Sequence, residues 1–246
     1  MQVSRYAVKR LVLAPRTAYR RRRSRSLEPF ARQLLETQLY GRAMYDFMDA
    51  VAANPDLLTD APITERGVAV DLGAYVGGWA TRMAERYGCT VYAFEPSPGP
   101  AAKATEALRS YPKVTLLPYG VGATDGRAAL TRDGPGSSIY GGTGQFGQVD
   151  VEIRDIVGVL EELDLSSVDV LKVNIEGAEY DLLERLVAAG WLPRIRTLSI
   201  QFHEWHPHAH RRRRRIRAML RATHEQVWSY GWVWELWQLR PELRGA

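Results

Sequence analysis

The sequence predicts an α/β fold with a doubly wound, mostly parallel seven-stranded sheet and an N-terminal helical extension. Short apolar runs alternate with longer stretches of helical spacing through the chain after residue 66. Such alternation is typical of a parallel sheet with helices on both faces. The first apolar run, 67–72, leads through a glycine-containing turn into a helical stretch, which is how a Rossmann-like domain begins.

The other elements follow in order along the chain. Further strands are predicted at 90–94, 114–118, 168–173 and 195–202, and one or two more between 227 and 239. Residues 149–153 alternate like a strand at the edge of a sheet, and 133–148 has the Gly-rich and Ser-rich composition of a loop. Helices are predicted at 77–87, 99–110, 155–163, 178–188 and 209–222.

Charge divides the chain into segments. Residues 1–26 hold nine basic side chains and no acidic one, whereas the whole chain has a net charge of +5, so the remainder is net acidic. We therefore predict a basic, flexible arm at 1–26, a helical extension at 27–62 and a Rossmann-like domain at 63–246. No apolar run is long enough to cross a bilayer, so we expect a cytoplasmic protein, with weak contact between the arm and a membrane surface.

The turn after the first strand has the composition of a ligand-binding turn. Asp71 ends the strand, and Gly73, Ala74, Tyr75 and Gly77 lead into the helix. Glycine lets the backbone approach a ligand closely, and a helix N-terminus offers unpaired N–H groups. The turn lacks the middle glycine of the dinucleotide fingerprint, and Tyr75 stands near that place. These residues predict a site for a ligand without phosphate at this turn, such as S-adenosylmethionine.

The second strand ends in an acidic residue. Glu95, followed by Pro96, lies 24 residues after Asp71. An acid at this place hydrogen-bonds ribose hydroxyls in this class of fold, and a carboxylate can accept from both hydroxyls. We therefore predict that Glu95 and Pro96 contact the ribose, and that Gly120 and Val121, at the end of the third strand, lie near the adenine.

Polar residues also follow the fourth core strand. Asn174, Glu176 and Glu179 come directly after it, at the edge where open α/β sheets bind their ligands. We predict that Asn174 and Glu176 line the floor of the site. Lys172 lies within the apolar strand itself, so it needs a carboxylate partner.

These segments resemble the FkbM-type methyltransferase family, in the order 71–74, 93–96 and 171–179, with Phe202 and His203 after the fifth strand. The similarity covers about residues 67–205. It implies a class I methyltransferase fold whose last strand is inserted antiparallel, with S-adenosylmethionine as cofactor. It also implies O-methylation of a small molecule or glycan, which includes secondary metabolites, sugars and lipid-linked acceptors.

The resemblance also indicates catalytic residues, namely His203, Glu176 and Asn174, the last of which also contacts the cofactor. His203 is the candidate general base because its ordinary pKa lies near the working pH. Asn174 stands where the family usually has Asp, and an amide cannot take up a proton. Three further His residues follow His203, but their mixed spacing is not a zinc signature, so no metal is predicted.

Two other classes of protein remain open at this point. One is a Rossmann-like NAD(P)-dependent oxidoreductase, against which the missing middle glycine argues. The other is a non-catalytic binding protein that uses its Arg-rich arm. The net acidic body argues against nucleic acid as the partner of the core domain. The acceptor and the oligomeric state are not indicated by the sequence.

Overall fold

The computed structural model describes residues 29–131, 147–204, 206 and 208–244. The chain divides into two units, Met1–Arg42 and Ala43–Ala246. The first helix, α1, runs from Pro29 to Ala53, and the second unit holds every other element described below. The predicted arm at 1–26 and most of the predicted loop at 133–148 lie outside the described residues, and the predicted domain limits stay a prediction.

The main sheet has seven strands in the order β3-β2-β1-β7-β8-β10-β9. β10 is antiparallel to both of its neighbours, β8 and β9, and the other pairs are parallel. The predicted mostly parallel seven-stranded sheet and its inserted antiparallel strand are therefore confirmed. The strands of this sheet are β1 (Val68–Leu72), β2 (Thr90–Phe94), β3 (Val114–Leu117), β7 (Val168–Val173), β8 (Ile195–Ile200), β9 (His224–Ser229) and β10 (Glu235–Leu239).

The helices after α1 alternate with these strands. The chain also forms two 3₁₀ turns, at Leu192–Arg194 and Pro241–Leu243. Among the helices in the described ranges, none combines the length and the apolar character needed to cross a membrane. The helices are α2 (Gly78–Tyr87), α3 (Pro98–Leu108), α4 (Ile156–Glu162), α5 (Glu179–Ala188) and α6 (Ala209–Leu220).

A second sheet of three strands was not predicted as such. It has the order β4-β6-β5, formed by β4 (Gly120–Gly122), β5 (Gly126–Thr131) and β6 (Gln148–Asp155). The prediction that 149–153 lies at a sheet edge is wrong, because β6 is the central strand and pairs with β4 on one side and β5 on the other. Gly120 and Val121 likewise belong to a separate short strand rather than to the end of β3.

Both faces of the main sheet are buried. On one face, Leu72 and Leu171 belong to a core cluster with Leu182 of α5 and Ile216 of α6. On the other face, the neighbouring residues of the same strands, among them Ala69 and Val170, belong to a cluster with Ala80 and Met83 of α2. Because alternate residues of a strand point to opposite faces, two buried faces require the nearly continuous apolar runs seen in the sequence.

One ion pair is buried within this sheet. Asp71 of β1 and Lys172 of β7 are directly opposite in the parallel register. The Lys172 Nζ lies 2.5 Å from the Asp71 Oδ1 and donates a second hydrogen bond of 2.8 Å to the carbonyl oxygen of Gly73. The carboxylate partner predicted for Lys172 is therefore confirmed, and the pair ties the end of β1 to β7.

We expect Lys172→Met to lower the free energy of unfolding by about 3 to 5 kcal/mol, because Asp71 is fully buried and would keep an uncompensated charge. Urea unfolding of both proteins measures the difference. Lys103→Met, an exposed lysine on α3, is the matched control and should change stability by less than about 0.5 kcal/mol. A loss below about 1 kcal/mol for Lys172→Met would contradict the importance of the pair.

Candidate active site

A cavity opens at the carboxyl ends of β1, β2 and β7, where the strand order changes direction, and the second sheet closes one side of it. This is the edge at which open α/β sheets bind ligands. Eight predicted site residues line the cavity, namely Gly73, Tyr75, Glu95, Pro96, Gly120, Val121, Asn174 and Glu176. Residues that were not predicted complete its wall, among them Ser97 and, from the second sheet, Leu130, Val151 and Ile153.

The turn after β1 is pressed against the turn after β7. Gly73 has a φ of +80°, and a Cβ atom added there would lie 1.9 Å from the carbonyl oxygen of Asn174. A side chain at this position would therefore collide with backbone that has no freedom to move away. Only glycine fits, so the turns after β1 and β7 can lie against each other at the cavity.

Three predicted residues of this turn lie behind the cavity wall instead of lining it. Asp71 is fully buried against Lys172. The N–H group of Ala74 donates to the carbonyl oxygen of Phe94. Gly77 precedes α2 with a φ of +86°, and a Cβ there would lie 3.1 Å from Leu108. They shape the turn from behind, and their predicted contact with the cofactor stays a prediction.

Glu95 links the turns after β1 and β2. Its Oε2 accepts a hydrogen bond of 2.8 Å from the N–H of Tyr75, and its Oε1 accepts one of 2.8 Å from the N–H of Ser97. Burial raises the pKa of Glu95, and the two backbone hydrogen bonds act in the opposite direction. A carboxylate oxygen has a second lone pair, so the anchored Glu95 can still accept hydrogen bonds from two ribose hydroxyls.

The turn after β7 presents two polar side chains to the cavity. The N–H of Asn174 donates to the carbonyl oxygen of Leu72, which continues the pairing of β7 with β1. The Oδ1 of Asn174 is buried and accepts no hydrogen bond from any described residue. Because buried polar atoms are nearly always paired, this oxygen is available to accept a hydrogen bond from a molecule bound in the cavity. Glu176 follows, with a φ of +54°.

His203 lies behind Glu176, buried at 3% exposure, and is not part of the cavity wall. The Oε1 of Glu179 lies 2.9 Å from the His203 Nδ1 and also accepts a 2.7 Å hydrogen bond from the His203 N–H. The hydroxyl of Tyr180 donates to the His203 carbonyl oxygen at 2.7 Å. These contacts fix the ring, and its Nε2 then lies 3.4 Å from the Oε2 of Glu176.

The electrostatic character of the cavity is acidic. Its lining holds the carboxyl groups of Glu95 and Glu176 and, among the described residues, no Lys, Arg or His. Burial raises the pKa of Glu176, with His203 acting in the opposite direction and Glu179 in the same direction. Such a cavity suits a cationic ligand and disfavours a phosphate.

The fold and this site define a Rossmann-like enzyme that binds a nucleoside cofactor without phosphate. Residues 71–226 match the model of the methyltransferase FkbM domain, and the chain belongs to that family. It is therefore a methyltransferase, and S-adenosylmethionine is its methyl donor. The oxidoreductase and the non-catalytic binding protein predicted as alternatives are set aside by this match.

Solved structures resemble the chain at low identity. An rRNA methylase from Streptococcus thermophilus is 11% identical, with a TM-score of 0.44 and coverage of 75% of this chain and 93% of its own. The fibrillarin pre-rRNA processing protein of Methanococcus jannaschii is 13% identical, with a TM-score of 0.43 and coverage of 73% and 69%. Precorrin-6y C5,15-methyltransferase from Geobacter metallireducens is 10% identical, with a TM-score of 0.42 and coverage of 74% and 85%. No curated protein matches the chain.

The donor fits the residues present. Gly73 lines the cavity without a side chain, Glu95 can still accept hydrogen bonds from hydroxyl groups, and Asn174 offers a buried acceptor oxygen. The side chains needed to recognise a cofactor phosphate are missing from the described lining. Bound there, S-adenosylmethionine supplies a methyl group on a positively charged sulfur.

Glu95→Gln is expected to weaken S-adenosylmethionine binding about 10- to 100-fold. The NH₂ group of the glutamine side chain must face one of the backbone N–H groups that Glu95 accepts from. The substitution also removes charge-assisted hydrogen bonds, which are worth about 1.5 to 3 kcal/mol. Titration calorimetry measures the affinity, and thermal unfolding shows that the variant is folded. Glu106→Gln, a surface glutamate whose side chain is 71% exposed, is the control. Equal affinity of Glu95→Gln and the parent chain would exclude this role.

The stability of the fold should depend on the charge of Glu176. Its pKa is raised in the folded state, so the ionised form costs stability above that raised pKa, and the cost disappears once both states are protonated. Glu176→Gln should therefore be more stable than the parent chain near about pH 8, and the gain should fade as the pH falls through the raised pKa. Urea unfolding across this range tests it, and a gain that grows toward acid would have the wrong sign.

Proposed function

We propose that this methyltransferase transfers the methyl group to a hydroxyl oxygen of a small molecule or glycan. The observation that carries the proposal is the Glu179–His203–Glu176 chain, which ends at the cavity. A hydroxyl must lose its proton when it is methylated, and water is a poor base for a group of such high pKa. A built-in proton acceptor beside the cavity is therefore most useful to an oxygen acceptor.

The positions of Glu176 and His203 relative to the cavity determine their proposed roles. Glu176 lines the cavity and His203 lies behind it, so Glu176 takes the hydroxyl proton and shares it with the Nε2 of His203. Burial raises the pKa of Glu176, which makes it a stronger base than an ordinary carboxylate. Glu179 accepts from Nδ1–H and so leaves the lone pair of His203 on Nε2, facing Glu176.

The remaining residues orient the reactants. Methyl transfer from a sulfonium is an in-line displacement in which the neutral thioether leaves. The protein therefore has to align the acceptor oxygen and remove its proton. The turn at Gly73 and the carboxylate of Glu95 hold the donor from two strands. Asn174, which cannot act as a base, holds the reactants through its carbonyl oxygen.

The acidic lining of the cavity also affects which charge the acceptor molecule can carry. Two carboxyl groups and no basic side chain in the described lining disfavour an acceptor that brings a phosphate into the cavity. This supports a neutral or cationic hydroxyl compound, such as a sugar or a secondary metabolite, over nucleic acid. Contact between residues 1–26 and a membrane surface, and residence in the cytoplasm, stay predictions.

The direct test follows a carbon-labelled methyl group from S-adenosylmethionine into a panel of sugars and hydroxylated metabolites. Each compound is paired with its deoxy analogue and with an amino analogue of the same ring. The proposal expects label on the hydroxyl compounds only, identified as an O-methyl group by its carbon chemical shift. Label on the amino analogues instead would overturn it.

His203→Asn should lower kcat by about 100- to 10,000-fold, as expected for loss of a group that takes up the proton. The asparagine amide can still donate to Glu179 but has no nitrogen that titrates. The affinity for S-adenosylmethionine should stay within about threefold, because His203 does not line the cavity. His208→Asn, an exposed left-handed residue before α6, is the matched control. An unchanged kcat for His203→Asn would rule out the relay.

A further inference from the structure

The backbone of Tyr75 is strained. Within the described ranges, four residues other than glycine have a positive φ, namely Tyr75 (+53°), Asp164 (+53°), Glu176 (+54°) and His208 (+61°). Asp and His are among the residue types that adopt this left-handed conformation most readily, whereas for a bulky residue it is an outlier. Glycine or asparagine would adopt this left-handed backbone at a lower conformational energy than tyrosine. Backbone strain of this kind is found mainly at sites where a side chain serves a function.

Tyr75 lies in the wall of the candidate cofactor cavity. It lines the cavity beside Gly73 and Glu95, and its N–H is held by the Glu95 Oε2 at 2.8 Å. The residue is 38% exposed, whereas Phe94, the other aromatic residue of the lining, is buried at 1%. Tyr75 is therefore the exposed aromatic residue of the described lining.

The methyl donor and its product differ in charge at the sulfur, and an aromatic ring can respond to that difference. S-adenosylmethionine carries a methyl group and a positive charge on its sulfur, and the product S-adenosylhomocysteine lacks both, while the rest of the two molecules is the same. The face of an aromatic ring attracts a cation but has no such preference for a neutral thioether. The adenosyl and amino-acid portions of donor and product are identical, so an aromatic ring close to the sulfur would distinguish the two.

From these observations we propose that Tyr75 selects the charged methyl donor over its neutral product. The left-handed backbone presents the ring to the cavity, and the strain that it costs is retained for this contact. The inference rests on the proposed function only in that the cavity binds the donor. It does not depend on the acceptor or on the Glu176–His203 relay. Its consequence is that the product is held less tightly than the donor and leaves after transfer.

The experiment compares Tyr75→Asn and Tyr75→Phe with the parent chain. Titration calorimetry gives the dissociation constants for S-adenosylmethionine and S-adenosylhomocysteine, without any acceptor. For Tyr75→Asn we expect the loss of affinity to be at least about threefold greater for the donor than for the product. We also expect its melting temperature to rise by about 2 to 4 °C, because asparagine tolerates the left-handed backbone.

Tyr75→Phe keeps the ring, so it should keep the preference for the donor. Asp164→Asn changes a left-handed residue outside the cavity lining and should leave both dissociation constants unchanged. Equal losses for donor and product in Tyr75→Asn would overturn the proposal, as would loss of the preference in Tyr75→Phe. If the O-methylation assay fails while the donor preference follows Tyr75, the acceptor proposal alone is wrong.

Discussion

The close approach of the ends of β1 and β7 is the constraint on which the site depends. Gly73 lies so near the carbonyl oxygen of Asn174 that no side chain fits between them. Lys172 fastens the same two strands from within the sheet, because its Nζ binds both Asp71 and the carbonyl oxygen of Gly73. The two turns that line the cavity, after β1 and after β7, are therefore held together by the same contacts. A change in Asp71 or Lys172 would shift both turns although neither side chain lines the cavity.

This rigidity explains how strained residues persist at the cavity. Tyr75 and Glu176 both have left-handed backbones, and each follows one of the two fastened strands. Strain of about 1 to 3 kcal/mol at a residue survives only where the surroundings fix the conformation by other means. Here the Glu95 carboxylate holds the amide of Tyr75, and Glu179 accepts from the amide of Gly177 directly after Glu176. The surrounding hydrogen bonds, more than the residues themselves, determine the shape of the two turns.

The sequence was most informative for features of the fold and of the site that depend on residues close together in the chain. The apolar runs and the acids at their ends predicted the main sheet and the placement of Glu95, and the charge of Lys172 in an apolar strand predicted its partner. The second sheet was missed because β6 pairs with β4 and β5, which lie well before it in the sequence, and alternation along one strand does not identify its partners. The position of His203 behind Glu176 was missed for a similar reason. The two residues follow different strands, and the hydrogen bonds between His203 and Glu179, the first residue of α5, hold the imidazole behind Glu176.

The two carboxyl groups of the cavity lining differ in their neighbours. Burial raises the pKa of both Glu95 and Glu176, so burial alone does not separate them. Both oxygens of Glu95 accept from backbone N–H groups, which stabilise its charged form and hold it still. Glu176 instead faces the Nε2 of an imidazole whose other nitrogen is fixed by Glu179. The proposed proton transfer therefore involves Glu176 and His203, whereas Glu95 is held by hydrogen bonds that favour its charged form. The same residue type is thus held by two backbone N–H donors at one strand end and faces an imidazole at another, and the proposed roles in ribose binding and proton transfer depend on this difference.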